Sequence, residues 1–162
     1  MRAAVVADYD RIAAVADEWW GRPILQVLPR LFLDHFHATS LIAERGADGG
    51  DDGAGADGGE SGALAAFVVG FFSPSASGVA YIHFTGVDPA LRGRGVARDL
   101  YERFFAMAAA DGRSVVRAIT SPVNSGSIAF HAAMGFTVTG PVPDYDGPGD
   151  AKMVFERGLT NA

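Results

Sequence analysis

The chain has 162 residues, of which 49% are hydrophobic and 20% charged, a balance that fits one globular domain and excludes a chain disordered throughout. It contains no cysteine, so a disulfide framework, a thiolate zinc site and a cysteine nucleophile are all excluded. The net charge of −6 argues against a polyanionic partner such as nucleic acid, although five of the acids (Asp48, Asp51, Asp52, Asp57, Glu60) sit in one interval without Lys or Arg and setting them aside leaves −1.

The first 20 residues carry Arg2, Asp8, Asp10, Arg11, Asp17 and Glu18, and so contain no apolar signal core. A soluble, cytoplasmic protein is expected. Asp8 is placed to cap a first helix in which Ile12, Val15, Ala16 and Trp19 recur at helical spacing, up to Trp19-Trp20-Gly21. Arg22-Pro23 breaks the chain. A second helix is expected from about Gln26 to His37, and a short strand from Ser40 to Glu44. His35 and His37, two apart on that helix, do not face together and make a poor metal pair; no metal site is expected.

Gly46 to Gly62 holds eight of the 21 glycines, the five acids and no large apolar residue. Such a run cannot bury enough surface to offset its ordering entropy, and it reads as a flexible insertion within a single domain spanning 1–162. Ser61 to Val87 then runs without an ionised side chain, but Ser73-Pro74-Ser75-Ala76-Ser77-Gly78 interrupts it. Two apolar strands, Ala63–Phe72 and Val79–Val87, joined by a turn explain this better than a membrane span. A helix follows from about Gly95 to Asp111, with Ala97, Leu100, Tyr101, Phe104 and Ala108 on one stripe and Gly112 as its stop. Then come a strand at Ser114–Thr120, a helix at Ser125–Met134, and strands at Phe136–Thr139 and Lys152–Glu156. The alternation makes the class α/β or α+β with a mixed sheet.

Between the uncharged strand and the helix lies Val87-Asp88-Pro89-Ala90-Leu91-Arg92-Gly93-Arg94-Gly95-Val96-Ala97. Glycines before a helix N-terminus let backbone N–H groups approach an anion, while Arg92 and Arg94 add positive charge, which points to a phosphate or pyrophosphate. A Walker loop is excluded because the Gly-Lys-Ser/Thr end is missing. A dinucleotide loop fails because Arg98 occupies its third glycine position.

Arg92-Gly93-Arg94-Gly95-Val96-Ala97 resembles the R/Q-x-x-G-x-G/A motif of the GNAT superfamily of acyl-CoA-dependent N-acetyltransferases. Asn124 to Phe136 (NSGSIAFHAAMGF) is similar to that superfamily's second segment, at the expected order and separation. The resemblance implies a mixed, mostly antiparallel central sheet with splayed strands, flanked by helices. It implies acetyl-CoA as donor, with the pyrophosphate on backbone amides of Arg92, Gly93, Arg94, Gly95, Val96 and Ala97. Pantetheine would bond to the strand end at Thr85, Gly86 and Val87, and Asn124 would touch the cofactor or serve as a helix N-cap. The family's usual tyrosine, a general acid toward the leaving thiolate, is replaced by His131. An imidazole with a reference pKa of about 6.5 can do that work, or the ring can simply fill the aromatic slot. His83 shares a strand face with Tyr81, Thr85 and Val87 by simple alternation and is a candidate base, beside a purely structural role or a solvent base. On the acceptor side Trp19 and Trp20 could form a wall or be core, and Asp144 and Tyr145 belong to an acidic loop that could border the site. The implied activity is acetyl transfer to a primary amine, on a small molecule or a peptide, in a ternary complex. A non-catalytic acyl-CoA-binding module is the alternative, and a homodimer is left open.

Overall fold

The structure, a computed structural model, describes residues 1–45 and 62–159. The expected insertion Gly46–Gly62 falls outside them except for Gly62. The elements are β1 (Arg2–Ala3), α1 (Asp8–Trp20), α2 (Leu31–Phe36), β2 (Leu41–Glu44), β3 (Leu64–Phe72), β4 (Val79–Val87), α3 (Val96–Ala110), β5 (Val115–Thr120), α4 (Ser125–Ala133), β6 (Thr137–Val142) and β7 (Lys152–Gly158). The strands form one sheet in the order β1-β2-β3-β4-β5-β7-β6, antiparallel throughout except for the β4–β5 pair. This is the mixed, mostly antiparallel sheet expected from the sequence. No helix among the described residues is long and apolar enough to cross a membrane.

Strand alternation divides the core into two layers. On one face Leu41, Ala43, Ala66, Val68, Ala80 and Ile82 pack with Leu100, Tyr101 and Phe104 of α3 and with Met134 beyond α4. On the other, Ile42, Phe67 and Val69 pack with Ile12 and Trp19 of α1 and Leu33 of α2.

Two local expectations are corrected. The long second helix is instead a 3-10 turn at Leu25–Val27, α2, and a second 3-10 turn at His37–Thr39. Pro29 stands between the first two pieces, where it lacks a donor and pushes the preceding residue out of helical angles. Asp8 does not cap α1: Ala7 holds that position without a side-chain bond. The Asp8 carboxylate, 1% exposed, accepts from the Val5 N–H at 2.8 Å, from both Arg2 Nη atoms at 2.7 and 2.8 Å, and from Arg11 Nη1 at 2.8 Å. Both arginines also reach Glu44, tying the start of α1 to β2. Burial pushes the Asp8 carboxyl up, but these donors together outweigh it and hold the group at about 2.

Candidate active site

The parallel pairing of β4 with β5 covers only Val79↔Val115, Ala80↔Val116 and Tyr81↔Arg117. Beyond Tyr81 the strands part, so the β5-facing edge of β4 has no strand partner among the described residues. Cavities open along this gap. One of about 180 Å³ is lined by His83, Thr85, Tyr101, Ile119 and His131. A second, of about 510 Å³, runs from Gly93 and Ala97 to Thr85, Tyr101 and Ser127. A third, of about 350 Å³, lies against Gly93, Gly95, Val96, Arg98 and Phe130.

The loop between β4 and α3 has the geometry its glycines predict. Gly93 (φ +75°) and Gly95 (φ +86°) are both left-handed, and a Cβ at either would meet nothing within 4 Å. Gly95 is the N-cap of the 15-residue α3, whose first N–H groups lack intrahelical acceptors. The cradle therefore fits an anion such as a pyrophosphate. The two arginines of the loop differ, and Arg92 lines the second and third cavities. Arg92 directs Nη2 to the Trp19 carbonyl at 2.6 Å and Nε to the Val87 carbonyl at 3.3 Å, so its guanidinium fastens backbone instead of standing free. Arg94 is exposed and lines none of these cavities, whereas Arg98 lines the third. In the sequence Arg98 stands out only as a departure from the dinucleotide motif, which gives no sign that it lines the cradle.

Asn124 is the N-cap of α4: its Oδ1 accepts from the Ser127 N–H at 3.1 Å and its Nδ2 donates to Thr120 Oγ1 at 3.1 Å. It also lines the first two cavities. His131 is 5% exposed and stacked on Phe155, with ring centroids 4.0 Å apart. Its Nδ1 lies 2.8 Å from the Ser127 carbonyl and its Nε2 lies 3.2 Å from Tyr101 Oη. Tyr101 Oη in turn lies 3.1 Å from Thr85 Oγ1. Burial lowers the His131 pKa below the ordinary imidazole value and raises the Tyr101 phenol to about 12. Both ring nitrogens of His131 thus have partners, and Tyr101 stands at the inner one. The sequence put Tyr101 only in the core stripe of α3; its hydroxyl could not be placed without knowing that α4 packs opposite.

His83 corrects the alternation reading. The β3–β4 register steps from Val69↔Phe84 to Gly70↔Ile82, leaving His83 as the extra residue of a bulge. Residues on either side therefore do not alternate simply. His83 stacks on Phe32 of α2, with centroids 3.9 Å apart, while Thr85 reaches Tyr101 on the opposite face. His83 Nε2 lies 2.8 Å from the Val27 carbonyl, which can only accept, so Nε2 carries the proton and Nδ1 of the neutral ring is left with its lone pair. Burial lowers this pKa also, the Val27 bond opposing it.

The tryptophan pair divides. Trp19 is buried and stacked near Phe67 (6.2 Å) as core, although it also edges a cavity of about 660 Å³. Trp20 packs 4.9 Å from Phe84 and lines the first two cavities as well as this one. Gly86 is dictated by this packing, since a Cβ there would fall 2.5 Å from Phe67 and 2.7 Å from Trp20. The acidic loop stands apart from the cavities described above. Asp144 accepts from the Gly149 N–H at 2.7 Å inside its own loop, and neither it nor Tyr145 lines these cavities. The Tyr81 phenol is raised by burial and then by Tyr145 and Asp146 of this loop.

A splayed parallel strand pair and a glycine cradle at a helix N-terminus, with a walled gap between them, form a site with room for a long ligand that carries an anionic end. The family model described as the acetyltransferase (GNAT) family matches residues 13–136, and the chain belongs to that family. A search of curated proteins found none that matches. Among solved structures, the chain is similar to the NatC complex bound to Gag peptide and CoA, at TM-score 0.71 and 19% identity over 94% of this chain and 91% of that one. It is similar to yncA of Salmonella typhimurium, solved with its cofactor acetyl-CoA, at TM-score 0.52 and 23% identity over 62% and 61%. Ard1 from Thermoplasma volcanium is similar at TM-score 0.54 and 25% identity over 61% and 66%. The chain spans just under two thirds of the length of these last two.

Proposed function

We propose that the chain is an N-acetyltransferase that moves the acetyl group of acetyl-CoA to a primary amine, on a small molecule or a peptide, by direct attack in a ternary complex. One observation carries the reading: the cavity that starts at the glycine cradle and the cavity that holds His83 share a wall at Thr85 and Tyr101. A long anionic thioester seated from the cradle inward would bring its acyl end to that wall, and an amine would meet it beside His83. Similarity to proteins solved with acetyl-CoA, or with CoA and a peptide, supports the donor and the type of acceptor.

The residues fit CoA. Backbone N–H groups of Gly93 to Ala97 would hold the pyrophosphate, with Arg98 adding charge, and the open edge of β4 at Thr85 to Val87 would bond the pantetheine amides. Bound acetyl-CoA supplies an activated acyl group. His83 Nδ1 accepts the proton that the amine must lose, while the Val27 carbonyl fixes the ring's tautomer through Nε2. Trp20, Phe84 and Ile82 supply the apolar part of the lining against which the acyl group would rest. With no cysteine in the chain, direct attack takes the place of a cysteine-borne acyl-enzyme.

The test is free-thiol release from acetyl-CoA across a panel of amines. Release above the no-acceptor rate with any of them supports the enzyme. CoA binding without release from any amine would overturn it in favour of an acyl-CoA-binding module.

A further inference from the structure

We propose that Tyr101, on α3, is the group that meets the departing sulfur, and that His131 acts through it as a positioning residue; the proposal rests on the acetyl-transfer reading above. The residue resemblance puts this role at position 131, but the geometry moves the hydroxyl to another helix.

The hydrogen-bond chain has a fixed direction. The Ser127 carbonyl only accepts, so His131 Nδ1 carries the hydrogen of the 2.8 Å bond. In the neutral ring Nε2 then has a lone pair and no hydrogen, so the 3.2 Å contact is a donation from Tyr101 Oη–H. The Tyr101 oxygen accepts in turn from Thr85 Oγ1 at 3.1 Å. Neutral His131 therefore has no hydrogen to offer on its inner side, whereas Tyr101 has one at every working pH. Burial pushes both groups further that way, His131 down and Tyr101 up.

Tyr101 also occupies the right place. It lines both the cavity that leads from the glycine cradle and the cavity that contains His83. The acetyl carbon must sit between donor and acceptor, so the sulfur lies on the cradle side of that junction. During transfer the new C–N bond forms, the C–S bond breaks and its electron pair goes to sulfur. As that charge grows, sulfur becomes a stronger acceptor than neutral Nε2 and draws the Tyr101 hydrogen bond to itself. The Thr85 hydroxyl continues to donate to Oη. The proton that His83 removes from the amine equals the one the thiolate takes up from solvent on release. No oxidant or further reactant is needed.

The experiment measures the thiol pKa of CoA bound to the protein, by thiolate ultraviolet absorbance with the desulfo-CoA complex as blank. A hydrogen bond to a charged group contributes about 1.5–3 kcal/mol, so the bound thiol should titrate roughly one to two pH units below free CoA. Tyr101→Phe should return it toward the free value and lower kcat by about 10- to 100-fold, while acetyl-CoA affinity changes less than about threefold. An unshifted thiol in the wild-type complex overturns the proposal even if Tyr101→Phe does not fold. So does a variant whose bound thiol and kcat match wild type. Failure of the acetyl-transfer reading looks different: wild type would bind CoA and release no thiol with any amine.

Discussion

Arg92 Nη2 donates to the backbone carbonyl of Trp19 at 2.6 Å, joining the glycine cradle to the last turn of α1 across 73 positions of sequence. Its Nε reaches the Val87 carbonyl at 3.3 Å, so one side chain spans the end of β4, the cradle and the helix that carries Trp20. The Trp20 wall of the gap and the glycine cradle are therefore held by the same guanidinium.

Arg92→Ala should loosen both sides together. Part-buried charged hydrogen bonds of this kind contribute about 1–2 kcal/mol, which for a domain of this size lowers Tm by several degrees, about 2–8 °C. The Kd for CoA and the KM for the amine should both rise. Arg94→Ala, at an exposed position outside the cavities, should leave all three nearly unchanged. Thermal melts, calorimetry and steady-state kinetics on the two variants check this, and equal effects would deny Arg92 its special part.

The cradle is tested by charge rather than bulk. Gly95 has a left-handed backbone but open space around it, so Gly95→Ala carries only backbone strain of about 1–2 kcal/mol. Gly95→Asp carries the same strain and adds a carboxylate facing the pyrophosphate. The ratio of their CoA affinities, read by calorimetry, isolates the electrostatic part and should exceed about tenfold.

Asp8 gives the fold an acid limb. Its carboxyl titrates at about 2 in the folded chain against an ordinary value of 3.8. The group binds its proton less readily when folded, so its contribution is present in full above the unfolded value and is lost as pH falls from about 4 to 2. It amounts to roughly 2 kcal/mol. Asp8→Asn should lower stability at pH 7 and flatten Tm against pH over that window, since a neutral amide cannot answer both arginines. A wild-type Tm that stays level down to pH 2.5 would contradict the assignment.

His83 should govern the acidic side of the rate profile. Its pKa lies below the ordinary 6.5, so the ring is neutral and able to accept a proton at neutral pH, and the activity is lost as pH falls through the lowered value. At saturating substrates kcat should rise with pH to a plateau, with the midpoint of the rise below the ordinary imidazole value. His83→Gln should remove that limb and lower the plateau by about 10²–10⁴-fold. An unchanged profile in the variant would leave the proton to solvent.

Much of the glycine cradle was legible in the sequence because it depends on local features. Gly93, Gly95 and the apolar stripe of α3 specify a left-handed turn and a helix start within a few residues, and both stand where expected. The acceptor side and the hydroxyl chain were not, because they depend on which elements pack together. The bulge at His83 shifts the face of every residue beyond it, and nothing in the local pattern announces an extra residue. Tyr101 is indistinguishable from core by periodicity, since its ring belongs to the core while its hydroxyl pairs with Thr85 and His131 at the gap. Arg92 was legible only in part: it lines the cavities at the cradle, but its bonds to the Val87 and Trp19 carbonyls depend on where α1 packs.

The pairing of His131 with Tyr101 can be separated from independent action by a double-mutant cycle. If His131 serves only to hold the Tyr101 hydroxyl, His131→Phe should keep CoA affinity and lower kcat by less than Tyr101→Phe does, about tenfold or below. Removing both should then cost no more than removing Tyr101 alone, because the second loss has nothing left to act through. Independent donors predict the reverse, with the two losses multiplying. His131→Tyr places a second phenol on α4 and should recover part of the activity that His131→Phe loses, since a hydroxyl can again partner Tyr101. The Phe155 stack favours a planar ring at this position, so all three rings can be accommodated. Slow product release would mask these differences, so kcat is compared with single-turnover rates at saturating acetyl-CoA. A double variant slower than Tyr101→Phe by the full His131 factor would show that His131 reaches the reacting atoms without Tyr101.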